Sequence, residues 1–120
     1  MSAKIQKLEQ ILNNLIANSE ADGCALVNDK GQIMVAQLRQ GVDQKAISAM
    51  ATALMSIGIR VGEALEAGAP RTIVIEGKDK TIILMSIGTN SLIATAPANA
   101  RIGLVDFEMT KAAQEITGVL

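Results

Sequence analysis

The side chains that most often carry enzymatic chemistry are sparse in this chain of 120 residues, which has no histidine and a single cysteine, Cys24. Nucleophilic catalysis by serine or cysteine needs a neighbouring base to take the proton, and without an imidazole the usual base is missing. Ser-x-x-Lys, the spacing that lets a lysine serve instead, occurs nowhere. Cys24 opens the apolar run Cys24-Ala25-Leu26-Val27, so its thiol is expected to be buried and inert rather than reactive. Gly77-Lys78 is followed by Asp79, and no glycine stands five residues before Gly77, so a phosphate-cradling Walker loop is absent and the chain is not expected to bind GTP itself. Glu63 with Glu66, and Glu76 with Asp79, are the carboxylate groupings that a cation would choose. Their places near a helix end and in a turn fit solvated carboxylates better. Arg60 and Arg101 are the candidates for an arginine finger in phosphoryl transfer, against the commoner reading of solvated arginines on a polar helix line and in a first helical turn. No catalytic, cofactor-binding or metal-ligating residue is expected, and no cofactor.

Composition narrows the partners. Eleven basic and 12 acidic residues leave a net charge of -1 spread thinly along the sequence, so there is no field to attract a phosphate backbone or an anionic lipid surface. Base stacking needs aromatic platforms, and Phe107 is the only aromatic residue. Nucleic acid is therefore excluded as an expected partner. With 49% hydrophobic and 19% charged residues the chain lies far from the disordered class. The uncharged stretches Ala46 to Ile59 and Thr81 to Ala100 are respectively too short for a bilayer and broken by Gly88, Asn90, Pro97 and Asn99, so membrane insertion is not expected. One unpaired cysteine and an N-terminus without signal-peptide pattern point to a reducing, cytoplasmic setting.

Periodicity supplies the elements. Ile5, Leu8, Leu12 and Leu15 recur three and four apart, which predicts a helix over about Ala3 to Asn18. Apolar runs Cys24 to Val27 and Ile33 to Ala36 flank Asn28-Asp29-Lys30-Gly31, a hairpin with glycine at the turn. Asp43 is the expected N-cap of a long second helix reaching Glu66, with Gly68 just past its end and Pro70 preventing continuation. Thr72 to Glu76, Thr81 to Ile87 and Ser91 to Ala96 are β-branched runs separated by glycine-bearing turns, a three-stranded meander. Asn99 is the expected cap of a last helix whose apolar stripe is Ile102, Val105, Met109, Ala112 and Ile116, with Arg101, Glu108, Lys111 and Glu115 on its polar face. The expectation is one α+β domain over residues 1–120 in the order α-β-β-α-β-β-β-α.

The second helix is too apolar for a helix that covers only its own sheet. Lys45, Ser48, Thr52, Ser56 and Arg60 form one narrow polar line, while Ile47, Met50, Leu54, Ile57, Ile59, Val61 and Leu65 cover much of the rest. Gly58 and Gly62, one turn apart, each cost about 1 kcal/mol relative to alanine in a helix interior, so a close approach of backbones is expected there. The approach is either to the chain's own sheet or to a helix of a second subunit; the excess apolar surface favours the second. In the meander the strand Thr72 to Glu76 has a neighbour on one side only, an apolar edge open to pairing unless Arg71, Glu76 and a covering loop blunt it.

This order, with the segments Gly23-Cys24-Ala25-Leu26-Val27-Asn28-Asp29-Lys30-Gly31 and Pro97-Ala98-Asn99-Ala100-Arg101-Ile102-Gly103-Leu104-Val105 leading into Glu108-Met109, resembles the roadblock/dynein-light-chain family over nearly the whole chain. The resemblance implies a profilin-like three-layer fold with a five-stranded antiparallel sheet between helices. It implies a homodimer, or a dimer with a paralogous roadblock protein, and a regulatory scaffold that docks a Ras-like small GTPase. It also places the second helix and the edge strand together at the dimer interface, on Met50, Leu54, Ile57, Gly58, Val61, Thr72, Ile73, Val74 and Ile75. Two other roles remain open: a motor-complex light-chain-like adaptor, and a profilin-like sensor holding a small molecule between sheet and helix. The sensor requires converging polar groups, whereas Leu26, Ile33, Ile83 and Leu84 read as plain core.

Overall fold

The computed structural model describes residues 2–120. Helix α1 spans Ala3–Asn18 and begins where the Ser2 hydroxyl accepts from the Ile5 amide, satisfying one otherwise orphaned donor. Strands β1 (Gly23–Val27) and β2 (Ile33–Gln37) form the expected hairpin, whose turn is held by the Asn28 side chain accepting from the Lys30 and Gln32 amides. Gly31 takes the positive φ, +75°, that the turn needs. Helix α2 (Gln44–Ala64) is capped by Asp43, which accepts from Ala46. The meander is β3 (Thr72–Glu76), β4 (Lys80–Ile87) and β5 (Asn90–Pro97), and helix α3 spans Ile102–Val119.

The five strands form one antiparallel sheet in the order β2-β1-β5-β4-β3, so β1 joins the hairpin to the meander by pairing with β5, and β3 lies at an edge as its sequence neighbours implied. Helices α1 and α3 pack together on one face of the sheet and α2 crosses the other, which gives three layers. The two interlayer spaces differ greatly. Leu8, Leu12, Leu26, Ile83, Leu92, Met109 and Ile116 belong to the large core beneath α1 and α3, whereas the hydrophobic cluster beneath α2 is Ala51, Met55 and Leu84, with the partly buried Leu54, Ile73 and Ile93 packed against it. Covering an aliphatic side chain contributes about 1.5–3 kcal/mol, so most of the hydrophobic stabilisation resides on the α1/α3 side and α2 is lightly anchored. Among the described residues no helix is long and apolar enough to cross a membrane.

Four local expectations are corrected. Asn99 does not cap α3: a turn closed by the Ala100 amide on the Pro97 carbonyl consumes it, and Arg101 becomes the N-cap residue with no capping side chain of its own. Its backbone amide instead donates to the Glu20 carboxylate at 2.8 Å, a cap delivered from the far side of the chain. Glu108 leaves the polar face and is buried, because it falls one turn from Val105 and Ala112 on the side of α3 that meets α1. Helix α2 ends at Ala64, two residues early, and Glu66 itself takes the left-handed position, with φ +59°. Ile33 is only half-buried rather than core, since β2 is the other edge of the sheet.

Candidate interaction surface

Apart from Met55, the face that α2 buries against its own sheet and loop is made of small or polar residues. Ser48, Ala51, Met55 and Gly62 are buried there, and Ser48 tolerates this because its hydroxyl donates to the Lys45 carbonyl within the helix. The polar line is therefore exposed at Lys45, buried against the sheet at Ser48, half-buried at Thr52 and back in solvent at Ser56 and Arg60. The larger apolar residues lie on the other flank: Met50 is 58% exposed, Ile57 55%, Val61 51% and Leu65 76%, with Leu54 half-buried between them. Spacings of four, three, four and four put them on one stripe.

That stripe adjoins β3. A Cβ on Gly58 would come within 2.6 Å of the Ile73 side chain, so the glycine lets α2 approach its own edge strand. Gly62 is likewise used within the chain, under the loop that contains Gly68. Both glycines thus follow the alternative of close packing inside the subunit. Ile73 pairs with Leu84 and Ile75 with Ile82 on the α2 side of the sheet, while Val74 pairs with Ile83 on the α3 side. Thr72 and Ile73 are half-buried, and Val74 and Ile75 remain 45% and 42% exposed on a strand whose outer edge has no strand partner among the described residues. Met50, Leu54, Ile57, Val61 and β3 therefore form an apolar surface, of the kind that marks interaction sites.

The residues weighed for chemistry stay apart. The Cys24 thiol is fully buried, its Sγ 3.8 Å from the Leu12 carbonyl, and burial pushes its pKa up to about 12. Arg101 pairs with Glu20 through Nε at 3.0 Å, and Arg60 is exposed on α2. Glu63, Glu66, Glu76 and Asp79 are all exposed. Among the described residues no group of three or more histidine, cysteine, aspartate or glutamate side chains could hold a metal ion.

One feature escaped the sequence. The segment after β2 folds over the α2 side of the sheet and leaves a cavity of about 340 Å³ walled by Leu38, Val42 and Ile47, with Ile82 and Ile93 as its floor. Its mouth carries Asp22, Arg39, Lys80 and Thr95, brought together from the residue before β1, the loop after β2, β4 and β5. Asp22 accepts from Lys80 Nζ and from the Thr95 hydroxyl. Partial burial works to raise the Asp22 pKa, but those two hydrogen bonds prevail and hold it below the usual aspartate value. Nothing local in the sequence signals this site, because four separated segments supply it.

Comparison with known proteins agrees with this architecture. An uncharacterised protein of Methanocaldococcus jannaschii is 25% identical over 109 residues, covering 91% of this chain and 96% of its own. Among solved structures, MglB of Myxococcus xanthus superposes with a TM-score of 0.91 at 16% identity, over 99% of this chain and 91% of that one. An MglB with tetrameric arrangement gives the same TM-score at 13% identity and the same coverage. Profilin of Schizosaccharomyces pombe superposes with a TM-score of 0.69 at 14% identity, over 93% and 98% of the two chains, so the fold is profilin-like. The sequence model of the Roadblock/LC7 domain matches residues 7–96, from within α1 to the last residues of β5. The chain belongs to the Roadblock/LC7 domain family.

Proposed function

We propose that the whole chain acts as one non-catalytic roadblock-type domain, a cytoplasmic scaffold that pairs with itself or with a paralogous roadblock protein and docks a Ras-like small GTPase. The observation that carries this reading is the stripe of exposed Met50, Ile57 and Val61 around half-buried Leu54, beside the open edge of β3. A helix so lightly anchored to its own sheet, with its larger side chains in solvent, is suited to pack against a second copy. Two β3 edges brought together would supply each other's missing strand. Similarity to an MglB with tetrameric arrangement supports self-association.

Docking of a GTPase rests on the roadblock resemblance together with a surface too weakly charged for nucleic acid. Transient signalling interfaces bury modest area around a few anchors, so an affinity of roughly micromolar is expected. Switch loops of a GTPase are ordered by the γ-phosphate, so a scaffold that touches them distinguishes the two nucleotide states, and the GTP form is the expected preference. Any stimulation of hydrolysis would come from positioning the GTPase's own groups and would survive Arg60→Ala and Arg101→Ala separately. The test is binding and turnover with small GTPases from the same source, each loaded with GDP or a non-hydrolysable analogue. If none binds in either state while an unrelated partner is recovered from the native cytoplasm, the GTPase assignment fails and only the scaffold remains.

A further inference from the structure

The cavity beside the N-terminal half of α2 combines an apolar body with a polar mouth, the arrangement of a small-molecule site. At the mouth the two residues of one ion pair neutralise each other: Lys80 is held by Asp22, which the Thr95 hydroxyl also contacts. Arg39 has no such partner. It lines the same opening, is exposed, and forms no ion pair or side-chain hydrogen bond among the described residues. The mouth therefore carries one uncompensated positive charge, placed where a ligand's polar end would emerge from walls of Leu38, Val42, Ile47, Ile82 and Ile93. A volume of about 340 Å³ compares with ~30 Å³ for a molecule of liquid water, which leaves room for about ten non-hydrogen atoms.

We infer that this cavity binds a small amphipathic monoanion, an apolar chain or ring of that size ending in a carboxylate or similar group that pairs with Arg39. A guanidinium engages a carboxylate in a fork of two hydrogen bonds, which favours it over a neutral head group. Gly23, in the cavity wall, keeps its place because a Cβ there would sit 3.1 Å from the Thr95 hydroxyl and 3.4 Å from the Gln37 carbonyl. The site goes beyond the scaffold reading and is independent of it, since none of its lining residues belongs to the stripe or to β3.

Three probes with the same chain and different head groups test it: octanoate, octanol and octylammonium. Binding is followed by methyl NMR on the full-length protein through the signals of Ile47, Ile82, Ile93, Leu38 and Val42. Octanoate should shift these methyls saturably and bind at least fivefold more tightly than octanol, with octylammonium weakest. Arg39→Glu, on an exposed side chain, should invert the order of the two charged probes. Val42→Phe, which reduces the space, should weaken all three. Repeating the titration on Ile57→Asp separates this site from the assembly surface, since a true cavity site binds whatever the oligomeric state. Absence of saturable shifts at the cavity methyls, equal affinity for the three head groups, or shifts confined to Met50, Ile57 and Val61 would each overturn the inference.

Discussion

The carbonyl oxygen of Gly68 lies 2.1 Å from the point where a Cβ on Gly62 would have to stand. The loop after α2 closes directly over the helix backbone, and the Ala67 amide donates to the Gly62 carbonyl at 2.7 Å while the Glu66 amide donates to Glu63. These two bonds make a Schellman turn, which satisfies carbonyls that the helix end would otherwise leave orphaned. Because the obstacle is backbone, no side-chain rotation relieves it. Gly62→Ala should cost about 2–3 kcal/mol, seen as a lowered urea midpoint. Gly58→Ala, whose obstacle is the movable tip of Ile73, should cost less. Equal effects at the two positions would contradict this packing.

The same turn places Glu66 at φ +59°, in the position that glycine usually fills. A left-handed conformation costs an L-residue about 1–2 kcal/mol, partly offset here because glycine loses more chain entropy on folding. Glu66→Gly should therefore raise stability by about 0.5–1 kcal/mol, measured as a higher thermal midpoint. A decrease would show that the Glu66 side chain contributes something its exposure does not suggest.

Elements were legible where the signal is periodic and local. Ile5, Leu8, Leu12 and Leu15 specify α1, and Asp43 marks the start of α2 by a side chain that does cap it. Apart from the end of α2, which a local Schellman turn sets, the misreadings have a non-local cause. Glu20 caps α3 from 81 residues away, and that leaves Asn99 free to sit in a turn. The apolar excess on α2 was readable, but which flank meets the sheet was not, since small residues such as Ser48 and Ala51 are preferred where helix and sheet approach closely. The cavity mouth joins Asp22 to Lys80 and Thr95 only because β1, β5 and β4 are neighbours, and the β1–β5 pairing has no local signature.

Two carboxylates couple stability to acid. Hydrogen bonds from the Arg101 backbone and side chain hold the Glu20 carboxyl below its ordinary value of 4.5. For Asp22 partial burial opposes the shift, and the Lys80 and Thr95 hydrogen bonds still leave it below its ordinary 3.8. A folded-state pKa below the unfolded one means stability that is fully present above the unfolded value and is lost as pH falls through the folded one. Urea midpoints should thus be flat between about pH 7 and 5 and fall on further acidification. In the double variant Glu20→Gln, Asp22→Asn the midpoint should be lower at pH 7, with a shallower acid slope. An unchanged slope would mean that other carboxylates carry the acid response.

The apolar flank of α2 also gives a clean separation of folding from assembly. Ile57 is 55% exposed in the single subunit, so an aspartate there stays hydrated and should leave the fold intact. In an interface the same charge would be desolvated without a partner, at a cost of several kcal/mol. The decisive measurement is light scattering at micromolar concentration on the wild-type protein and Ile57→Asp, with circular dichroism as the check on folding. Concentrations should be taken from peptide absorbance, because the chain has neither tryptophan nor tyrosine. A dimer mass for the wild type and a folded monomer for Ile57→Asp is the expected result; a wild-type monomer, or a variant that remains fully dimeric, would contradict assembly through α2 and β3.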